Sequence, residues 1–256
     1  MNSSIWNGLI PRKIAHGLVA AQNKTVVWLT TSGWRRDLGS VAMLRLGTTY
    51  GGWWVPRELD LWPRPRILVS AGLGFDVTFD QAMLDRNFIV IGLDPLKECC
   101  EYATKELATY LQVKVLNLGV STFSGKQTFY EPKISHHDSW STINAQEVTD
   151  PTSKEFEVIS LGDLWSTDPL INSGGFKYLK MDIEGAELAI LEKNLGEVVR
   201  FDFIAIEMDF LSLLPFLAVA KRINRVARAR KILEQFEVEG FSLVHIENFN
   251  FFCGKS

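Results

Sequence analysis

The sequence predicts an α/β domain with a doubly wound, mostly parallel sheet. Three observations lead there. From residue 66 onward, short apolar runs alternate with longer segments of helical period. The first run ends on a glycine turn, Gly72-Leu73-Gly74, a break suited to carrying a chain from strand to helix. The last two runs, Phe241 to Ile246 and Phe249 to Cys253, are separated by only two residues. So short a link requires an antiparallel pair and puts one reversed strand at the end of the sheet.

Each element follows from its residues. Arg66-Ile67-Leu68-Val69-Ser70 reads as a strand, and Phe75 to Arg86 has helical spacing. Phe88-Ile89-Val90-Ile91-Gly92-Leu93 is a second buried strand. A helix then runs to about Gln112, with Asp94 as its N-cap and Pro95 at its first position. Val113 to Leu118 is a third strand. Gln127 to Tyr130 and Phe156 to Ile159 look like short strands around a polar stretch, Glu131 to Glu155, that contains His136-His137-Asp138-Ser139-Trp140. A loop that long in a compact domain is usually functional or disordered. The rhythm returns with a strand at Phe176 to Met181, a helix at Glu184 to Leu195 and a strand at Phe201 to Ile206. A helix follows over Val219 to Glu239, with Val219, Ile223, Val226, Leu233 and Phe236 on one face.

The chain has 256 residues, a formal net charge of −3 and 46% apolar residues, which excludes a disordered or collagen-like chain. Residues 1–66 carry a net charge of +6 and residues 67–256 a net of −9. Six of the eight tryptophans fall within the first 62 residues. We therefore divide the chain into a Trp-rich basic N-terminal extension, 1–66, and a main domain, 67–256. The basic residues are scattered, so packing against the acidic domain is a better reading than nucleic-acid binding. The basic side chains of the helix at 219–239, among them Lys221, Arg222, Arg225, Arg228, Arg230 and Lys231, read first as a solvated face. No apolar run reaches the ~18 residues that span a bilayer, and the start of the chain does not read as a secretory signal. Cys99, Cys100 and Cys253 suit neither a disulfide framework nor a cysteine zinc site, and a reducing cytoplasm fits them best.

Two segments carry chemistry. The glycines of Ser70-Ala71-Gly72-Leu73-Gly74-Phe75-Asp76 let the backbone turn tightly and approach a ligand. Asp94 ends the second strand, where an acid can accept both ribose hydroxyls of an adenosine, cap a helix, or do both. Val77 stands where a dinucleotide fingerprint needs its third glycine, and Asp76 would repel a pyrophosphate. Both favour an adenosyl ligand without a diphosphate. The second segment is Lys180-Met181-Asp182-Ile183-Glu184-Gly185-Ala186-Glu187. A lysine in a buried strand needs a partner, so Lys180 reads equally as an ion-pair residue or a catalytic one. Glu184 reads as a helix cap or a site residue, and Asp182 faces the cleft. Glu207 ends the next strand and can join Asp182 and Glu184 around a divalent cation, although a purely organic site is the stronger reading.

Together these segments resemble the FkbM-type S-adenosylmethionine-dependent methyltransferases. The resemblance runs through Tyr50-Gly51-Gly52-Trp53, Val69 to Gly74 with Asp76 and Phe79-Asp80, and Leu93-Asp94-Pro95. It continues through Asn117-Leu118-Gly119-Val120 and Leu161-Gly162-Asp163-Leu164, and is sharpest at Leu179 to Glu187 with Ile206-Glu207. Phe75 departs from it, at a position often acidic in relatives, and residues 1–45 fall largely outside it. It implies the class I methyltransferase, Rossmann-like fold, a seven-stranded sheet with its last strand antiparallel. It also implies O-methylation of a hydroxyl on a sugar, polysaccharide or natural product.

On that basis Ala71, Gly72, Gly74 and Asp76 are expected to line the methionine end of S-adenosyl-L-methionine. Asp94 and Pro95 would hold the ribose side, and Asn117 and Leu118 would border the adenine. Asp182 and Glu184 are the expected groups for activating a hydroxyl, with His136 or His137 as a base delivered by the long loop. Trp53, Trp54 and Trp140 can stack on a sugar ring or belong to the core. The extension can cap the site or form a homodimer contact. The rival functions are a nicotinamide-dependent oxidoreductase, a non-catalytic adenosyl-binding module and a nucleic-acid methyltransferase. The acidic domain and the lack of an Asn/Asp-Pro-Pro-aromatic motif argue against the last.

Overall fold

Runs of β-branched and aromatic residues become strands here because glycine, proline or acidic turns stop them. A computed structural model gives the fold for residues 23–33, 38–132, 140–142, 149–212 and 219–255. A helix α1 (23–31) precedes a hairpin, β1 (Met43–Leu46) and β2 (Trp53–Pro56), and a short 3-10 helix at Arg57–Leu61. Then come β3 (Arg66–Ala71), α2 (Thr78–Leu84), β4 (Phe88–Leu93), α3 (Lys97–Glu106) and β5 (Val113–Leu116). Next are β6 (Gly119–Ser121), β7 (Gly125–Pro132), β8 (Thr149–Ser160), α4 (Leu161–Thr167) and α5 (Pro169–Asn172). The chain continues through β9 (Phe176–Met181), α6 (Glu187–Lys193), α7 (Leu195–Val198), β10 (Phe203–Glu207) and α8 (Asp209–Ser212). It ends with α9 (Val219–Val238), β11 (Phe241–Glu247) and β12 (Asn250–Lys255).

The main sheet has seven strands in the order β11-β12-β10-β9-β3-β4-β5. β3, β4, β5, β9 and β10 are parallel, and β12 runs antiparallel to both β10 and β11. This is the class I methyltransferase sheet, with its last strand reversed. Alternate residues of a strand face opposite sides. Ile67, Val69 and Ala71 of β3 accordingly join one core with α4, α6 and α9, and Leu68 joins a second core with α2, α3 and the hairpin. A smaller sheet, β6-β8-β7, packs Phe129, Phe156 and Val158 together at the edge of the site.

The extension read from the sequence is bound into this structure over residues 43–66. Trp53, Val55 and Leu59 are buried in the second core. Trp62 stacks on Phe176 at 3.6 Å, and the Tyr178 hydroxyl donates to the Trp54 carbonyl at 3.0 Å. Arg66 is itself the first residue of β3, and its guanidinium donates to the carbonyls of Leu59 and Arg86 at 2.9 and 2.7 Å.

Several element boundaries differ from the sequence reading, each for a local reason. α2 starts at Thr78 rather than Phe75 because the Asp76 carboxylate accepts from the Thr78 N–H at 3.0 Å and holds a turn there. Asp94 does not cap α3. That helix begins at Lys97, and Asp94 turns its carboxylate toward the backbone of the glycine turn. α3 also stops at Glu106, short of Gln112, whose carbonyl accepts from the Val90 N–H of β4 at 2.9 Å. Glu184 does not start a helix: it and Gly185 have φ of 55° and 106°, and α6 begins only at Glu187. The buried face of α9 is Ala229, Ile232, Leu233 and Phe236, whereas Ile223 is exposed. The arginines of α9 join elements. Arg228 makes two 2.6 Å bonds to Glu192, and Arg225 donates to the Phe210 carbonyl at 2.6 Å. Among the described residues no helix is long and apolar enough to cross a membrane.

Candidate active site

The strands of a parallel sheet all end on one edge, so the turns after β3, β4, β9 and β10 converge. They enclose a cavity of about 430 Å³, inside the roughly 300–1,000 Å³ range of small-molecule sites. The hairpin tip at Thr49–Trp53, the small sheet at Gly119, Val120 and Phe129, and Trp140 complete its wall.

The glycine turn is built by close approach. Gly72 has φ of 81°, and a Cβ there would run into the Asp182 carbonyl oxygen. Its N–H donates to the Leu93 carbonyl at 2.9 Å, and its own carbonyl accepts from the Lys180 ammonium. Lys180 is buried, lies 3.9 Å from the Asp182 carboxylate and sits over the Trp53 ring at 5.4 Å. The lysine thus ties the glycine turn to β9. Asp80, fully buried nearby, is pushed up by burial, with the Lys180 charge opposing that shift.

Asp94 stands at the floor of the cavity. One carboxylate oxygen accepts from the N–H groups of Leu73 at 3.0 Å and Gly74 at 3.1 Å, and the other from Leu96 N–H at 2.8 Å. Burial raises its pKa, and these three donors oppose the rise. An ionised carboxylate has about four lone-pair positions, so a single one remains for a ligand. Asn117 lies behind this turn: its amide donates to the carbonyls of Asp94 at 3.1 Å and Pro95 at 2.9 Å. Asn117 and Leu118 do not line the cavity, whereas Pro95, Gly119 and Val120 do.

Asp76 is occupied differently. It accepts from the Thr48 hydroxyl and, at 3.3 Å, from Gly51 N–H on one oxygen. The other oxygen accepts from Thr78 N–H at 3.0 Å and the Thr78 hydroxyl at 2.5 Å. Burial opposes its ionisation, but these bonds outweigh it and hold the carboxyl below the usual range.

The acid turn after β9 is built differently. Asp182 N–H donates to the Ala71 carbonyl at 3.1 Å, which fixes the turn beside Gly72, and the Asp182 side chain faces the cavity. Met181 pairs with Ile206, so Glu207 emerges next to Asp182 at the end of the neighbouring strand. Burial, with Asp182 close by and sharing a hydrogen bond, pushes Glu207 up to about 9. A carboxyl raised that far keeps its proton near neutrality. Glu187 is fully buried, accepts from the N–H groups of Ile183 at 2.9 Å and Gly185 at 2.8 Å, and is pushed up to about 8 by its burial. The Glu184 carbonyl accepts from the Ser141 hydroxyl at 2.7 Å, which pins the segment carrying Trp140 over the turn.

A model of the methyltransferase FkbM domain matches residues 70–236. The chain belongs to the FkbM methyltransferase domain family. It is accordingly an S-adenosylmethionine-dependent methyltransferase. No curated protein matches the chain. Solved structures similar to it include a Staphylococcus aureus protein provisionally described as a caffeoyl-CoA O-methyltransferase, at 10% identity and a TM-score of 0.43, covering 78% of each chain. An O-methyltransferase from Bacillus cereus in complex with SAH is similar at 10% identity and a TM-score of 0.38, over 98% of this chain and 94% of that one. The fibrillarin pre-rRNA processing protein of Methanococcus jannaschii is similar at 11% identity and a TM-score of 0.39, over 74% and 65%.

Of the residues the sequence singled out in this FkbM-family chain, Gly72, Gly74, Asp76, Asp94, Pro95, Lys180, Asp182 and Glu184 line the one cavity described above. Ala71 is buried behind it as the last residue of β3. His136 and His137 lie outside the described residues. The FkbM-family site also uses wall residues that the sequence reading did not assign to it. Arg45, Glu247 and Asn250 reach the cavity from β1, β11 and β12, and the Arg45–Glu247 ion pair spans 3.6 Å. Opposite charges in the acidic domain and the basic extension were visible in the sequence, but no spacing rule joins positions so far apart. Among the described residues no group of three or more His, Cys, Asp or Glu side chains is arranged to hold a metal ion.

Proposed function

We propose that the protein transfers the methyl group of S-adenosyl-L-methionine to a hydroxyl of a sugar, polysaccharide or natural-product acceptor. The observation that carries this reading is the meeting, in one cavity, of the carboxyls of Asp182, Glu184 and Glu207 with a glycine turn whose backbone is held by Asp94. The cofactor's fit rests on the Gly72 backbone, where no side chain has room, and on the remaining acceptor position of Asp94. When bound, the cofactor supplies an electrophilic methyl group on a sulfonium.

The chain's residues would divide the rest of the work. Gly72 and Gly74 admit the ligand to the backbone, and Asp94 accepts one ribose hydroxyl rather than the two the sequence reading allowed. Lys180 positions the glycine turn through the Gly72 carbonyl. The acidic wall favours a cationic sulfonium over an anionic ligand. In-line transfer needs the acceptor oxygen held against the methyl and its proton removed. Asp182 is the group placed to take that proton, with Glu207 beside it and Glu184 on the same turn.

Calorimetric titration with S-adenosylmethionine, S-adenosylhomocysteine and NADH tests the cofactor assignment. Binding of both adenosyl ligands, without NADH, is expected. Binding of NADH alone would replace the reading with a nicotinamide enzyme, and binding of none of the three would overturn it.

A further inference from the structure

We propose that Asp76 is not a cofactor ligand but the latch that closes the β1–β2 hairpin over the cavity. The inference rests on the cofactor assignment only for the consequence it has at the cavity. The geometry of the latch stands by itself.

Four donors converge on the two Asp76 oxygens, and two of them, the Thr48 hydroxyl and Gly51 N–H, come from the hairpin tip. The other two come from Thr78, at the start of α2. Four donors fill the positions a carboxylate offers, so none remains for the amino group of a bound ligand. The network closes on itself. Thr48 N–H donates to the Thr78 hydroxyl at 3.0 Å, and the Thr48 hydroxyl accepts from Gly51 N–H at 3.0 Å. The tip is also shaped for this contact: a Cβ on Gly51 would stand 2.6 Å from the Asp76 carboxyl carbon.

The latch acts on the site through the wall it holds. The strands of the hairpin are anchored by Trp53 and Val55 in the core, but the tip is exposed, with Tyr50 81% accessible. Residues Thr49 to Gly52 line the cavity beside the glycine turn. A tip released from Asp76 would open the side of the cavity next to Gly72 and Gly74. Asp76 is thus a positioning residue, acting on the ligand through the hairpin.

The experiment compares Asp76→Asn, Thr48→Val, Thr48→Ser and the Asp76→Asn/Thr48→Val double variant. Amide hydrogen exchange over residues 47–52 reads the latch directly, without ligand. S-adenosylhomocysteine affinity reads its effect on the cavity. Loss of a hydrogen bond to a charged group predicts roughly tenfold faster exchange at the tip in Asp76→Asn and in Thr48→Val. The double variant should add little to either, because both remove the same contact. Thr48→Ser, which keeps the hydroxyl, should restore wild-type exchange. S-adenosylhomocysteine should bind more weakly by a similar factor in Asp76→Asn and Thr48→Val. Unchanged exchange at the tip in both would overturn the latch. So would complete loss of binding in Asp76→Asn beside wild-type binding in Thr48→Val, since Asp76 would then touch the ligand itself. Wild-type protein that fails to bind S-adenosylhomocysteine would count against the cofactor assignment and leave the exchange result to judge the latch. Thermal unfolding of each variant separates these effects from loss of fold.

Discussion

The turns after β3 and β4 and the turns after β9 and β10 treat their carboxylates in opposite ways. On the first side, Asp94 and Asp76 are met by three and four hydrogen-bond donors, mostly backbone N–H groups. These donors fix their geometry and favour the ionised form, although burial still raises Asp94. On the second side, Glu207 stands beside Asp182 and is pushed up to about 9, chiefly by burial. Lys180 lies between the two sides, yet it is committed to the Gly72 carbonyl. A carboxylate saturated with donors can position a turn or a ligand. One turned into the cavity can accept a proton from a substrate.

The largest expected effect is on the reactive side. Asp182→Asn should reduce methyl transfer from labelled S-adenosylmethionine by roughly 10²–10⁴-fold, the usual contribution of a general base. S-adenosylhomocysteine affinity should stay within a few-fold of wild type. A variant that keeps full turnover would remove Asp182 from the chemistry and erase the contrast between the two sides.

Asp94→Ala should act on binding and stability together. It leaves the N–H groups of Leu73, Gly74 and Leu96 without their acceptor, which costs about 1–3 kcal/mol for buried donors. Urea denaturation should show that loss, and calorimetry should show weakened cofactor binding. A stable variant with intact binding would mean that the turn does not depend on this carboxylate.

A separate effect concerns the pH dependence of stability. Glu207 is raised from 4.5 to about 9 in the folded chain. Between those values the folded state holds a proton that the unfolded state releases, so stability falls as pH rises across that window. The contribution is fully present below about 4.5 and is gone above about 9. Urea midpoints measured at pH 6 and pH 9.5 should therefore drop in wild type and drop less in Glu207→Gln. Glu187, raised to about 8, would leave a residual fall. Equal drops in both proteins would show that Glu207 is ionised throughout.

Much of this was legible residue by residue. β4 and β9 fall at the residues their apolar runs indicate, Phe88–Leu93 and Phe176–Met181, since both are buried and flanked by sharp turn signals. Helix starts were less legible. Asp94 and Glu184 look like helix-start residues in sequence, but each sits in a turn whose conformation depends on partners far along the chain. The hairpin was visible only as Tyr50-Gly51-Gly52-Trp53, with no signal of where it would pack. Asp76 shows the limit most clearly: its bonds from Thr78 are local, but those from Thr48 and Gly51 come from 28 and 25 residues earlier and no sequence pattern announces them.

The sequence by itself determined the alternation of strands and helices, the reversed final strand, the glycine turn and the acid-rich strand end. These depend on local period, turn chemistry and short links, which act within about a dozen residues. Only the tertiary structure decided which carboxylates collect donors from distant segments and which are raised by burial. Donor supply and burial are set by neighbours that folding brings together from distant parts of the chain, and no local pattern records them.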